Sequence, residues 1–295
     1  MTALRDRGGR ALRCVATLAL AGAVSAILAA CTPPPGPAGA GLPDGVSVRF
    51  IQQRSDVALR QAQVEITNAT DEVLVVDDLL VSDERFAADA ERVLDRPSRI
   101  APGVTVGIRI QLPDPDCGAP DDGESRVSFA YETGDGRREA VAPLPDVLDV
   151  VPGLHARECL EEALGAVAAV TIAGFGADAE TGPGMLRLRV EPTGAGGAAL
   201  RAIRPTNLLG FGNADPDGTA ALGVALTPGD RAVREIAIPI EPFRCDAHAV
   251  QEDKRGTIFT LDVVVGERSG QIQLAADPDL RATMLSWVAQ RCGFA

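Results

Sequence analysis

The sequence QAQVEIT at residues 61–67 is the key to the architecture, because a related sequence, RLRVEPT, follows at residues 187–193, an offset of 126 residues. Four more pairs of matching residues follow in the same order, at offsets of 125 to 133 residues. The pairs are Phe86 with Phe211, Pro102-Gly103 with Pro228-Gly229, Cys117 with Cys245 and Cys159 with Cys292. An ordered series of this kind indicates an internal duplication. The chain is therefore predicted to contain two related domains, repeat 1 at residues 46–166 and repeat 2 at residues 167–295.

Each repeat contains short segments with the composition of β-strands. β-Branched residues and partial apolar alternation mark residues 73–76, 79–81, 104–110 and 127–131 in repeat 1, and residues 170–172, 186–190, 234–238, 257–265 and 271–274 in repeat 2. Glycine-containing turns at residues 134–136 and 266–270 predict hairpins. The pattern predicts an all-β fold of two tandem antiparallel Ig-like β-sandwich domains.

Each repeat is also predicted to end in a helix. At the C-terminus, Asp277 is a good N-cap, Pro278 fits the first helical position, and apolar residues recur every four positions at residues 280, 284, 288 and 292. Trp287 lies on the flank of this stripe and is interpreted as helix-to-sheet packing. The counterpart in repeat 1 covers residues 152–164 and is expected to form the connection between the repeats.

Four cysteines are predicted to form structural disulfides. Cys117, Cys159, Cys245 and Cys292 allow three pairings. The duplication favours Cys117–Cys159 and Cys245–Cys292, because either crossed pattern would tie the two domains together. A redox pair or a thiolate metal site is the alternative, but the sequence has no Cys-x-x-Cys motif.

The N-terminus has the pattern of a secretion signal. A basic stretch ends at Arg13, an apolar run follows to residue 30, and the run ends in Leu28-Ala29-Ala30-Cys31. These four residues resemble the bacterial lipobox, in which the cysteine is lipidated and becomes the mature N-terminus. The resemblance implies a signal peptide at residues 1–30, a palmitate-type lipid on Cys31 and a location on the outer face of a bacterial plasma membrane. An uncleaved membrane anchor is the alternative.

Residues 31–45 are rich in proline and glycine and are predicted to form a tether. As a whole, the chain resembles secreted actinobacterial lipoproteins that combine a lipobox with tandem Ig-like domains. Most such proteins have no assigned function. The resemblance therefore implies a location and a fold, and it supplies no catalytic residues.

Few residues point to chemistry. His155 and His248 each lie near a predicted bridge cysteine and are interpreted as a helix-surface and a loop histidine. Asp215 and Asp217 resemble the first half of a calcium loop, but the twelfth position is Val224 instead of a bidentate carboxylate, so they are only weak metal candidates. The acidic residues around Cys117, at 114–116 and 121–122, are equally weak candidates for a cation. No cofactor is predicted.

The charge balance excludes one class of partner. The net charge of −13 comes from 41 acidic and 28 basic residues, so the surface repels nucleic acid. The sequence has no nucleophile elbow, zinc-protease motif or phosphate loop. The first hypothesis is a membrane-anchored, non-enzymatic module that binds another envelope protein or a cell-wall polymer. The alternatives are a solute- or metal-capturing lipoprotein and an envelope hydrolase of unrecognised type.

Overall fold

The computed structural model describes residues 41–177, 182–212, 214–215, 217–251 and 255–294. These residues belong to one compact unit, Gly39–Ala295. The predicted signal peptide and the lipidation site Cys31 lie outside the described residues. None of the helices in the described ranges combines the length and the hydrophobicity that a membrane span requires.

The first half of this unit consists of eight strands and two helices. In chain order they are β1 (Val46–Ile51), α1 (Arg54–Val57), β2 (Gln61–Asn68), β3 (Leu74–Ser82), β4 (Ala90–Arg92), β5 (Ser98–Ile100), β6 (Val104–Gln111), β7 (Arg126–Thr133), β8 (Gly136–Pro143) and α2 (Val150–Val167). The predicted hairpin at residues 134–136 joins β7 to β8.

The second half repeats this order of strands. Its elements are β9 (Ala168–Ala177), β10 (Gly184–Pro192), β11 (Ala198–Arg204), β12 (Leu209–Gly210), β13 (Ala220–Leu226), β14 (Arg234–Pro242), α3 (Ala247–Gln251), β15 (Ile258–Val265), β16 (Arg268–Ala275) and α4 (Pro278–Arg291). The hairpin between β15 and β16 begins at Gly266, as predicted.

The two halves share one strand connectivity. In the first half β2 pairs with β1 and β6, while β7 pairs with β3 and β8. In the second half β10 pairs with β9 and β14, while β15 pairs with β11 and β16. All these pairings are antiparallel, and the prediction of an all-β sandwich fold is confirmed. The sequences that reveal the duplication form β2 and β10, the central strands of equivalent layers.

The halves differ at one strand. Short β4 pairs with both β6 and β3, so the two layers of the first half join into a single eight-stranded sheet. Its counterpart β12 pairs only with β14 among the described strands, so the second half consists of two four-stranded sheets.

Equivalent Pro-Gly turns precede β6 and β14. Gly103 has φ 73° and Gly229 has φ 93°, a left-handed conformation that glycine adopts without steric cost. The amide of Gly103 donates to Asn68 O, and the amide of Gly229 donates to Gly194 O, at 2.7 and 3.0 Å. These two landmarks of the sequence repeat therefore make the same kind of turn.

The C-terminal helix α4 begins as the sequence predicts. The Asp277 side chain accepts a hydrogen bond from the amide of Leu280 at 2.8 Å, and Pro278 occupies the first helical position. Met284, Trp287 and Val288 are buried in the second core. Trp287 packs edge-on against Phe175 of β9, with ring centroids 5.1 Å apart, which confirms its interpretation as a packing residue.

Helix α2 packs against both cores. Val151 and Leu154, near its N-terminus, belong to the hydrophobic core of the first half. Leu160, Leu164 and Val167, further along the helix, belong to the core of the second half. The helix that ends repeat 1 in the sequence is therefore also part of the packing of repeat 2. Because all described residues form one compact unit, the boundary at residues 166 and 167 stays a prediction.

We predict that two leucines of α2 stabilise different halves of the protein. Leu164→Ala is expected to cost about 2–5 kcal/mol, because it leaves a cavity in a core, and to lower hydrogen-exchange protection mainly in β9, β10 and β15. Leu154→Ala is the matched variant and is expected to lower protection mainly in β2, β3 and β7. Hydrogen-exchange mass spectrometry of peptides from each half would measure the protection of these strands. Identical protection profiles for the two variants would contradict the division of α2 between two cores.

Candidate binding surface

Two loops stack on each other at the end of repeat 1 where β3 and β6 finish. Loop A, residues 83–89, connects β3 to β4, and loop B, residues 112–125, connects β6 to β7. The amide of Ala87 donates to Asp114 O and the amide of Asp116 donates to Arg85 O, both at 2.9 Å. Each loop therefore fixes the backbone of the other.

A buried ion pair holds loop A in shape. Oδ1 of Asp83 accepts hydrogen bonds from the amide and Nε of Arg85, both at 2.9 Å, while Oδ2 accepts from Nη2 of Arg85 at 2.7 Å and from the hydroxyl of Ser125 at 2.5 Å. Both charged side chains are almost fully buried. Burial alone would raise the pKa of Asp83, but the hydrogen bonds from Arg85 and Ser125 outweigh it and hold the pKa below its usual value.

Loop B is fastened to α2 by a disulfide and a histidine. Cys117 is bonded to Cys159, which confirms the predicted pairing. One turn earlier on the helix, Nε2 of His155 lies 3.0 Å from Asp116 O and Nδ1 lies 3.2 Å from a carboxylate oxygen of Asp121. The interpretation of His155 as a helix-surface residue is wrong, because only 1% of it is exposed. Its spacing from Cys159 is the signal that places both on the helix face that loop B covers.

The two loops form the walls of an open cleft of about 870 Å³. Exposed carboxylates line it, namely Glu84 and Asp89 from loop A with Asp122 and Glu124 from loop B, and Arg126 lies at its edge. We call this surface the acidic cleft. Its carboxylates can accept hydrogen bonds from cationic groups of a partner. Across the described ranges, no group of three or more His, Cys, Asp or Glu side chains is arranged to hold a metal ion.

The equivalent connection in repeat 2 is different. Between β11 and β12 the chain has only Pro205-Thr206-Asn207-Leu208, which is shorter than loop A and contains no carboxylate. Thr206 is buried, and its hydroxyl donates to Gly256 O at 2.8 Å while it accepts from the amides of Leu208 and Leu209. Loop A, one of the two loops that form the acidic cleft in repeat 1, is therefore replaced by a compact turn in repeat 2.

The remaining predicted residues lie away from the cleft. Cys245 is bonded to Cys292, which confirms the second pairing and joins the segment after β14 to the end of α4. Asp217 accepts hydrogen bonds from the amide and hydroxyl of Thr219, at 3.1 and 2.8 Å, and these bonds lower the pKa of Asp217. Asp215 contributes its amide to the same turn through a 2.7 Å bond to Thr219 O. The metal candidates are thus part of a polar turn, and His248 lies in short helix α3 rather than in a loop.

Comparison with known proteins adds little to these observations. No protein-family model and no curated protein matches the chain. Among solved structures, the YadV chaperone is 12% identical with a TM-score of 0.23, over 78% of this chain and 100% of that one. The CupB2 chaperone of Pseudomonas aeruginosa is 11% identical, with a TM-score of 0.22 over 74% and 92% of the two chains. Red sea bream transglutaminase is 8% identical, with a TM-score of 0.23 over 80% and 32%. TM-scores this low support no statement about function.

We predict that Asp83→Asn makes the protein less stable in a pH-dependent way. A carboxylate whose folded-state pKa is lowered stabilises the fold above its unfolded-state pKa of about 3.9, and the contribution is lost as the pH falls through the folded-state pKa. The variant is expected to lose about 3–5 kcal/mol at pH 7, because Arg85 remains buried without its partner, and the difference from wild type should shrink below about pH 4. Urea unfolding of the variant and of wild type from pH 7 to pH 2 would measure the difference in unfolding free energy. Exposed Asp89→Asn is the control, and a pH-independent difference for Asp83→Asn would contradict the assignment.

We also predict that the Cys117→Ser/Cys159→Ser double variant loses about 4 kcal/mol of unfolding free energy, because the disulfide closes a loop with a sequence separation of 42 residues. Urea unfolding without reductant would measure the loss. The Cys245→Ser/Cys292→Ser variant, with a separation of 47 residues, should lose a similar amount. Hydrogen exchange should rise in loop B only in the first variant, and a rise in both would show that loop B is not held by its own disulfide.

Proposed function

We propose that this protein is a membrane-anchored, non-enzymatic binding module of a bacterial cell envelope, which recognises another envelope protein or polymer through the acidic cleft. The lipobox-like sequence Leu28-Ala29-Ala30-Cys31 supports lipid attachment at Cys31 and a location on the outer face of the plasma membrane. The proline- and glycine-rich residues 31–45 would then hold the folded unit away from the lipid surface.

The observation that carries the proposal is that the acidic cleft has fixed walls before any partner binds. The Asp83–Arg85–Ser125 network holds loop A, and the Cys117–Cys159 disulfide holds loop B on α2. A recessed surface that is already ordered loses less conformational entropy when a partner binds. Its exposed carboxylates favour a partner segment with positive charge, because opposite charges steer association and add to specificity.

The groups that most often perform chemistry have structural roles around this cleft. His155 is buried between α2 and loop B, Asp83 is saturated with hydrogen bonds, and Cys117 and Cys159 are oxidised. The carboxylates that remain exposed in the cleft are available for contacts with a partner. This division of roles supports recognition rather than catalysis.

The first experiment is to isolate the native protein from its own envelope after mild crosslinking and to analyse it by mass spectrometry. The expected result is a diacylated N-terminal Cys31 together with a reproducible crosslinked protein or polymer. The triple variant Glu84→Gln/Asp122→Asn/Glu124→Gln is expected to reduce capture about tenfold, because it neutralises three of the four exposed carboxylates of the cleft and leaves its fold unchanged.

The control variant Glu132→Gln/Glu139→Gln/Glu267→Gln changes the net charge equally at exposed residues outside the cleft. It should capture the partner as well as wild type. Equal losses in both triple variants would show that net charge alone is responsible and would overturn the role of the cleft. An N-terminus without lipid would overturn the anchor, and lipidated protein with no partner would overturn the binding role.

A further inference from the structure

A second and smaller groove lies between α2 and the β15–β16 hairpin of repeat 2, and we call it the junction groove. Its volume is about 350 Å³, which lies within the range of small-molecule sites. It shares no lining residue with the acidic cleft. Gly153, Arg157 and Leu160 line it from the helix, and polar residues of β15 and β16 line the opposite wall.

The polar side chains in the junction groove are free to bind a ligand. Arg157 is half-buried and forms no ion pair or hydrogen bond with the described residues. The side chains of Thr260, Ser269 and Gln273 likewise form no hydrogen bond within the described part of the chain. Gln271 donates from Nε2 to Asp262 at 3.1 Å, which leaves its carbonyl oxygen as an acceptor. One cation, two hydroxyls and two amides therefore converge on one small space.

Apart from Arg157, the helix side of the groove is apolar and open. Leu160 is 2% exposed and forms part of the floor. The helix wall is open at Gly153, because a Cβ atom at that position would meet no atom within 4 Å. A site with an apolar floor and a few convergent polar groups is typical of small-molecule binding.

We propose that the junction groove binds a small hydroxylated carboxylate, such as a sugar acid. The guanidinium of Arg157 matches a carboxylate, with which arginine forms paired hydrogen bonds. The hydroxyls and amides on the strand wall can donate to and accept from the hydroxyl groups of such a ligand.

Neighbouring charges select a single carboxylate over a more highly charged anion. Glu161 lies beside the groove, with a carboxylate oxygen 3.5 Å from the amide of Gln273, and Asp262 pairs with Arg204 at 2.9 Å. The Glu161 carboxylate repels an anion in the groove, and this repulsion is stronger for a doubly charged phosphate than for a single carboxylate. The inference goes beyond the proposed function, since it depends neither on the lipid anchor nor on the acidic cleft.

The test measures the binding of D-glucuronate to the full chain by saturation-transfer NMR and calorimetry. The chain is kept in a polyoxyethylene detergent, because such a detergent has no sugar headgroup that would compete with the ligand. We expect a Kd of about 1 mM or tighter. D-Glucose lacks the carboxylate, acetate lacks the hydroxyl groups and glucose 6-phosphate carries the extra charge, so each should bind at least about tenfold more weakly. Methyl glucuronide distinguishes two sources of the ligand, a free sugar acid and a sugar-acid residue within a polymer. Binding equal to that of glucuronate supports the polymer residue, and loss of binding supports the free acid.

Two variants test the site itself. Arg157→Gln should weaken glucuronate binding at least about tenfold. Gly153→Leu should also weaken it by adding a bulky side chain to the wall of the groove, and the backbone tolerates this change because leucine fits a helix and a Cβ atom there meets no atom within 4 Å. Arg201→Gln, at an exposed arginine of β11, is the control and should bind as wild type. Unfolding midpoints of all three variants verify that they are folded. Absence of glucuronate binding to wild type, unchanged binding by Arg157→Gln, or equal loss in Arg201→Gln would overturn the proposal.

Discussion

Helix α2 supplies the interaction on which the rest of the structure depends, because its apolar residues are divided between two cores. Its first turns contribute Val151 and Leu154 to the core of repeat 1, and its later turns contribute Leu160 and Leu164 to the core of repeat 2. A helix cannot bend sharply without losing backbone hydrogen bonds, so burial at both ends fixes one repeat relative to the other. The connection between the repeats is therefore a structural element with its own packing energy.

The same helix also organises the loops around it. Loop B is attached to α2 through Cys159 and His155. Loop A is attached to loop B through backbone hydrogen bonds and the hydrogen bond from Ser125 to Asp83. From the other side, Arg268 of the β15–β16 hairpin donates to Cys117 O at 3.1 Å. Both the acidic cleft and the junction groove, the two surfaces proposed to bind partners, are thus formed by segments that α2 holds in position.

The duplication explains which parts of the chain are free to differ. The strands of the two repeats pair in the same order, since each layer must bury one face of every strand. The connections do not have this constraint, and repeat 1 has loop A where repeat 2 has the compact Pro205-Thr206-Asn207-Leu208 turn. Surface loops tolerate such changes and carry most binding functions, so one scaffold presents different surfaces in its two copies.

The repeat, the all-β class, the two disulfide pairs and the cap of α4 could all be predicted from the sequence, because each depends on local chemistry or on comparison of the two copies. Strands such as β11 and β13 were not predicted, since their alanine-rich sequences have little intrinsic preference for a strand and adopt one through pairing with neighbours. The lipidation of Cys31 stays a prediction from sequence.

The positions of the acidic cleft and the junction groove could not be predicted from the sequence and depend on the folded arrangement of the chain. Three contacts show this: loop B buries His155, Asp83 pairs with Arg85, and Arg157 lines the same groove as Gln273. The residues in each contact are either distant in sequence or separated by a spacing that has no periodic meaning. Periodicity reports which face of an element is apolar, but not which other element covers that face. The division of α2 between two cores is the clearest case, because both parts of the helix are apolar and only packing assigns each to its own core.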